Sequence, residues 1–263
     1  MSRSIRLTAA GAAAAVLVAL FGPSGVGAQD PVAPANSTTP VPILLYHHIA
    51  KAPKRSSSPT LYVPSALFKQ QMAALARAGY EAVTMDTVWS AWTEGGELPD
   101  KPIVVSFDDG FTDQYTGALP VMKARGWPGV LNLIVKSPYA PKITTTQVNG
   151  MLKAGWELDA HTATHPDLSK ITDPARLTRE IVDARTALQT KYKVPVNFIA
   201  YPFGHVNQRV AQVVINDAGF TGGLTTVAGL ATPGTDPARL PRVIVSPKTS
   251  GPALVAKLAK LNR

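Results

Sequence analysis

The amino-acid sequence predicts an α/β protein built on parallel strands, and two observations carry that expectation. Strand-like and helix-like segments alternate along most of the chain, the pattern of strands joined by crossover helices. Several strand candidates are continuous apolar runs, as expected where both faces of a sheet are covered. The candidates span residues 42–47, 81–84, 102–107, 130–135, 156–160, 197–201, 219–225 and 242–245. Between them lie amphipathic segments. Phe68, Met72, Leu75 and Gly79 share one helical face, with Ser65 as the candidate N-cap. Asp173-Pro174 reads as an N-cap followed by proline at the first helical position. From there Leu177, Ile181, Ala184 and Leu188 form an apolar stripe, and Arg179 and Asp183 form an i,i+4 pair. A last helix over residues 252–261 carries Leu254, Leu258 and Leu261 opposite its lysines. No internal repeat and no second domain is visible.

Residues 1–28 read as a signal peptide. Arg3 and Arg6 precede an apolar stretch from Leu7 to Phe21, and Val26-Gly27-Ala28 supplies a small-residue cleavage site. That stretch is shorter than the ~18 residues of a spanning helix, so no stable membrane insertion is expected after cleavage. Export to the periplasm or the medium follows as the expected location. Residues 29–40, rich in Pro, Ala, Ser and Thr, read as a flexible tether, leaving 41–263 as one domain. The chain of 263 residues has no cysteine, which excludes disulfides, thiolate nucleophiles and Cys-ligated zinc. The formal net charge is +9, and losing Arg3 and Arg6 would leave +7. No basic block is interleaved with aromatics, so nucleic acid is not an expected partner. Nothing in the sequence fixes an oligomeric state.

All five histidines fall in three short clusters. Asp108-Asp109-Gly110 ends the apolar run 103–107, and Gly110 permits a tight turn in which both carboxylates face one cavity. One could bind a metal while the other stays free as a base. His161 and His165 follow the strand candidate 156–160; Pro166 disfavours helix at His165, so a loop is expected there. Two imidazoles and a carboxylate can hold a divalent cation with coordination positions left open. Tyr201-Pro202-Phe203-Gly204 ends another strand candidate; a turn stiffened by Pro and Gly can aim the N–H of Phe203, or of a neighbour, at an oxyanion. His47 and His48 end the first strand candidate, a position suited to a general acid. His205 is expected to be exposed. Trp89, Trp92, Trp127 and Trp156 are candidates for stacking on a sugar or for the core. Each catalytic motif lies at a strand's C-terminal end, and in parallel barrels those ends share one rim.

Taken together, Ser-Phe-Asp-Asp-Gly, His-Thr-Ala-Thr-His and Tyr-Pro-Phe-Gly resemble the polysaccharide deacetylase family (NodB homology, carbohydrate esterase 4) from about residue 42 to 245. The resemblance implies a distorted (β/α) barrel with an Asp-His-His metal site, usually zinc and sometimes cobalt or nickel. It implies Asp109, His161 and His165 as ligands, Asp108 as the base and the Phe203 N–H as the oxyanion donor. Two features depart from the common pattern. Ala200 stands where the family's third motif carries an arginine, and 240–247 lacks the late histidine that serves as general acid. Both are similar to the exported poly-β-1,6-N-acetylglucosamine deacetylases, whose acid lies in an early Tyr-His motif. Tyr46-His47 matches that motif, so the acid falls to His47, and neither His48 nor His205 is expected to be essential. Arg242 is a candidate for orienting Asp108. The implied activity is metal-dependent N-deacetylation of an acetylated glycan; an O-acetyl esterase or a catalytically silent glycan-binding relative are the alternatives.

Overall fold

A computed structural model describes residues 36–262. The expected signal peptide and most of the expected tether lie outside the described residues. Eight parallel strands form the framework: β1 (Ile43–Tyr46), β2 (Glu81–Ala82), β3 (Pro102–Phe107), β4 (Val130–Leu133), β5 (Glu157–Ala160), β6 (Phe198–Ala200), β7 (Gly222–Ala228) and β8 (Leu240–Ile244). Each coincides with a strand candidate to within a few residues. The order β1-β8-β7-β6-β5-β4-β3 closes into a seven-stranded barrel through β1–β3 pairing. The eighth strand, β2, pairs with the start of β3, while β4 pairs with its end on Ser106 and Phe107.

Period-two alternation sorts the strand residues into two environments. Ile43, Val104, Val130, Phe198, Ala200, Leu224 and Leu240 make one apolar cluster inside the barrel. Met85, Val88 and Trp92, on the helix Met85–Thr93, join that cluster. The alternate residues, including Leu44, Val105, Phe107, Leu131 and Leu158, pack against the outer helices. Two residues further along the inward rows the side chains turn polar, with Ser106, Asn132 and Arg242 all fully buried. An apolar plug below and a polar interior above put the chemistry at the C-terminal rim.

Helix starts follow their caps. Asp173 accepts from the Ala175 N–H at 3.0 Å, and Thr144 with Gln147 forms a capping box. The stripe Leu177, Ile181, Ala184 and Leu188 is buried as expected. Three local expectations change. Ser65 is not the N-cap; the helix Ser65–Arg77 starts after Pro64, and the Ser65 hydroxyl donates to the Ile49 carbonyl at 2.7 Å. Arg179 does not pair with Asp183 but lies 3.8 Å from Asp173, because a π-helical turn over Arg179–Asp183 breaks the i,i+4 register. Leu261, expected on the buried face, is exposed in the last turn. No helix among the described residues is long and apolar enough to cross a membrane.

Glu157 and Asp159 share one face of β5 at the lower end of the barrel. Asp159 Oδ1 accepts from the Asn197 and Phe198 N–H groups, and Glu157 Oε2 from the Asp86 N–H. Their other oxygens, Glu157 Oε1 and Asp159 Oδ2, have no partner among the described residues. A proton held between the two carboxyls would satisfy both. Burial, with the charge of Asp86 adding to it, pushes Glu157 up to about 7, and burial with the charge of Glu157 raises Asp159 as well. The folded chain therefore keeps a proton that the unfolded chain releases, so this contribution is complete below about pH 4.5 and is lost as pH climbs through about 7. The thermal midpoint is expected to fall from about pH 5 to about pH 8, and Glu157→Gln to flatten that slope. An unchanged slope in the variant would exclude the pair as its origin.

Candidate functional site

The turn after β3 supplies both carboxylates. Strand alternation would send Asp108 and Asp109 to opposite faces, but Asp109 takes φ 77° and Gly110 φ 79°. The chain thereby swings both side chains into one cleft. At Gly110 a Cβ would also lie 2.3 Å from Leu133 Cδ1, so glycine answers both conformation and space. His161 and His165 lie on an irregular loop leaving β5, as Pro166 led one to expect, with Thr162 and His165 both at φ 66°. Glu180 braces that loop from behind, accepting from the Thr164 N–H at 2.8 Å and the Thr164 hydroxyl at 2.5 Å. Phe203, after β6, takes φ 61°. Its N–H has no hydrogen-bond partner among the described residues. Among the described residues, four of the five non-glycine residues with positive φ are thus Asp109, Thr162, His165 and Phe203, so the strain is concentrated at this one site.

Asp109 Oδ1 lies 3.4 Å from His161 Nε2 and 3.4 Å from His165 Nε2, and the two Nε2 atoms are 3.1 Å apart. His161 Nδ1 faces the Ala200 carbonyl at 2.7 Å, and His165 Nδ1 faces the Tyr139 hydroxyl at 2.8 Å. With Nδ1 protonated on each ring, both Nε2 lone pairs point at a buried carboxylate oxygen that has no donor of its own. Three converging lone pairs repel unless a cation lies between them. Tetrahedral coordination at about 2.0–2.1 Å gives ligand–ligand edges of about 3.3–3.4 Å. The triad therefore fits a divalent metal. Burial and the neighbouring His161 hold His165 down to about 4, which keeps its ring neutral. His161 is raised instead: burial opposes its charge, but Asp108 and Asp109 outweigh it.

Asp108 is gripped by Arg242. Nη1 donates to Oδ1 at 2.8 Å and Nη2 to Oδ2 at 2.9 Å, while Nε donates to the Thr225 carbonyl at 2.8 Å. Asn132 Nδ2 adds a bond to Oδ1 at 2.7 Å. Burial alone would raise the Asp108 carboxyl, but the guanidinium outweighs it and holds the group far below the usual carboxylate range. Arg242, a candidate in the sequence, is the group that orients Asp108, where Ala200 cannot. The sequence reading missed Asn132, though a lone amide in the apolar strand Val-Leu-Asn-Leu was a signal for it.

His47 lines the same cleft. Burial lowers its pKa against the pull of Asp108 and Asp109, whose carboxylates in turn feel the His47 charge. His205 is exposed as expected, with Nδ1 2.9 Å from Asp167 Oδ2. His48 is buried, with Nδ1 2.7 Å from Asp113 Oδ2. The cleft is about 720 Å³. No tryptophan lines it: Trp92, Trp127 and Trp156 are core residues, and Trp89 packs against Phe198. The aromatic rings of the cleft belong to Tyr62, Phe111, Tyr139, Tyr201 and Phe203.

This geometry has counterparts among known proteins. The polysaccharide deacetylase family model matches residues 95–223. The chain is 30% identical over 222 residues to the Bacillus subtilis protein YxkH, named for that family, covering 84% of this chain and 77% of that one. The chain belongs to the polysaccharide deacetylase family. A poly-β-1,6-N-acetyl-D-glucosamine N-deacetylase of Staphylococcus epidermidis is 25% identical over 169 residues, 59% of this chain and 58% of its own length. The solved Streptococcus pyogenes deacetylase PplD, in complex with acetate, superposes with a TM-score of 0.77 at 27% identity, covering 84% of this chain and 98% of that one. The distorted barrel expected of this family is the observed fold.

Truncating Arg242 strands a buried carboxylate. Arg242→Met is expected to lower the unfolding free energy by about 3–5 kcal/mol in denaturant titrations. The double variant Arg242→Met/Asp108→Leu, which removes both charges, should recover most of that loss. A double variant no more stable than the single one would show that packing, not charge, was lost.

Proposed function

We propose that this family member is a metal-dependent hydrolase that removes N-acetyl groups from a polysaccharide, releasing acetate and leaving a free amine. The observation that carries the reading is the convergence on one cleft of a ligand triad, a separate ionised carboxylate, an imidazole and an unpartnered backbone N–H. Asp109, His161 and His165 would hold the metal. Two imidazoles and a carboxylate are a donor set of catalytic zinc, and cobalt or nickel suits it as well. A divalent cation bound there supplies Lewis acidity towards the acetyl carbonyl and makes a water more acidic.

The remaining steps fall to this chain's own groups. Asp108 is kept ionised by Arg242 and fixed in direction by Arg242 and Asn132, so it accepts the proton of the attacking water. Such a weak base is adequate where the water itself has been acidified. The Phe203 N–H, turned by its positive φ and without another acceptor, donates to the developing oxyanion. In its protonated form His47, on the wall of the same cleft, then delivers a proton to the departing amine as the C–N bond breaks. Acetate bound to the related Streptococcus pyogenes deacetylase matches the product expected here. The reading assigns the reaction to the cell envelope or the medium, on the signal-peptide pattern of residues 1–28. Poly-β-1,6-N-acetylglucosamine is the first substrate to test, because a Staphylococcus epidermidis relative is named for it.

Asp108→Asn is expected to lower acetate release by at least about 10²-fold while bound metal, measured by elemental analysis, stays at the unmodified protein's level. Near-native turnover in that variant would remove Asp108 as the base. The unmodified protein should release acetate from N-acetylated glycans faster than from O-acetylated xylan; the opposite preference would make it an esterase.

A further inference from the structure

His48 takes no part in the proposed chemistry, yet it is among the most tightly fixed side chains of the cleft. Its ring is stacked between Tyr62, at 3.9 Å and 4° between planes, and Phe111, at 3.6 Å and 24°. Asp113 Oδ2 lies 2.7 Å from Nδ1, and Asp113 Oδ1 accepts from the Ile49 N–H at 2.8 Å, which fixes the carboxylate in turn. The backbone is pinned as well: the His48 N–H donates to Leu61, and the Val63 N–H donates to the His48 carbonyl. Stacking on both faces stops the ring from turning, and the carboxylate selects the tautomer with the proton on Nδ1. The hydrogen bond of the ring runs through Nδ1, and Nε2 remains a lone-pair acceptor without a partner among the described residues, on a ring that lines the cleft shared by Asp108 and the triad.

Here one nitrogen is spent on orientation, and the other is held in a fixed direction on the wall of the cleft. His48 makes no hydrogen bond to Asp108 or to the triad among the described residues, and its side chain's polar contact is Asp113. The geometry points to a saccharide-recognition role: Nε2 of His48 accepts a hydroxyl of a sugar residue flanking the one whose acetyl group is removed. The loop 50–62 then forms one wall of the substrate subsite, with the Tyr62–His48–Phe111 stack as its rigid part. This rests on the deacetylase reading only for the identity of the ligand as a glycan.

The test uses an N-acetylglucosamine trisaccharide and two variants. His48→Phe keeps a ring in the stack and removes the acceptor; His48→Ala removes both. His48→Phe is expected to raise KM about tenfold with kcat within about twofold, the loss of one hydrogen bond made equally in ground and transition states. Calorimetric Kd for the trisaccharide, measured on Asp108→Asn with and without His48→Phe, should rise by the same factor. If His48→Phe matches the unmodified protein and only His48→Ala is impaired, the ring is mere packing and the proposal falls. A drop in kcat at constant KM also overturns it, since His48 would then act on the chemistry. A protein that binds the trisaccharide but releases no acetate refutes the deacetylase reading, while the Kd comparison still decides for or against His48. Absence of any trisaccharide binding up to about 10 mM, where even a weak subsite at about −4 kcal/mol would register, overturns the His48 proposal itself.

Discussion

The buried bidentate pair between Arg242 and Asp108 is the constraint around which the site is arranged. Both groups are almost wholly removed from water, at a desolvation cost that only good geometry and further hydrogen bonds offset. The structure provides both. The guanidinium also donates to the Thr225 carbonyl, and Asn132 completes the carboxylate. Three different strands must therefore sit in register for the pair to form: β3 leads to Asp108, β4 carries Asn132 and β8 carries Arg242. Closure of the barrel through β1, which pairs with both β3 and β8, is what brings the ends of that arc together. A barrel left open at β1 would leave the guanidinium and the carboxylate on separate edges.

Fixing Asp108 also explains the strain beside it. With Asp108 drawn inward to Arg242, Asp109 can reach the histidines only by leaving the strand conformation, and it does so at φ 77°. The two histidines of the triad come from a loop with two positive-φ residues, braced by Glu180, and Phe203 in the turn after β6 adds a fourth. Each such conformation costs on the order of 1–3 kcal/mol and persists only where its surroundings over-determine it. Gly204 shows how close that support is. A Cβ there would lie 2.1 Å from Thr226 Oγ1, the hydroxyl that donates to the Phe203 carbonyl. The turn is held against β7 by a contact that only glycine permits.

The fold was legible because the forces that specify it are local and periodic. All eight strand candidates became strands, since apolar runs bounded by turns have few other uses in a chain of this kind. The triad was legible because its residues are chemically distinctive and lie at strand ends. Partnerships across the barrel were legible only in outline. Arg242 in Leu-Pro-Arg-Val-Ile could be named as a candidate, and its inward position in the β8 row is what makes it the partner of Asp108. The aromatic rings of the cleft itself were not singled out in the sequence, for a related reason. Tryptophan is the residue one expects on a sugar, yet here the large rings fill the layer under the helices, where Trp156 stacks on Phe107 with centroids 5.0 Å apart. The smaller rings of Tyr62, Phe111 and Tyr139 lie on loops, whose positions no periodicity predicts.

His47 and His48 illustrate how one residue of offset separates two tasks. They follow directly on β1, where successive side chains point to opposite faces. His47 falls in the row that faces Asp108 and Asp109 and is exposed to their field. His48 is turned away from that field, but the loop 50–62 folds back and pairs with it, so that Tyr62 closes over the ring from one side and Phe111 from the other. The same alternation that makes one imidazole a candidate proton donor thus forces the other out of the reaction. An imidazole displaced in this way would ordinarily turn freely towards solvent. Asp113 and the two rings hold it in place, leaving a single directed acceptor at the edge of a cleft where the chain of a glycan would have to pass.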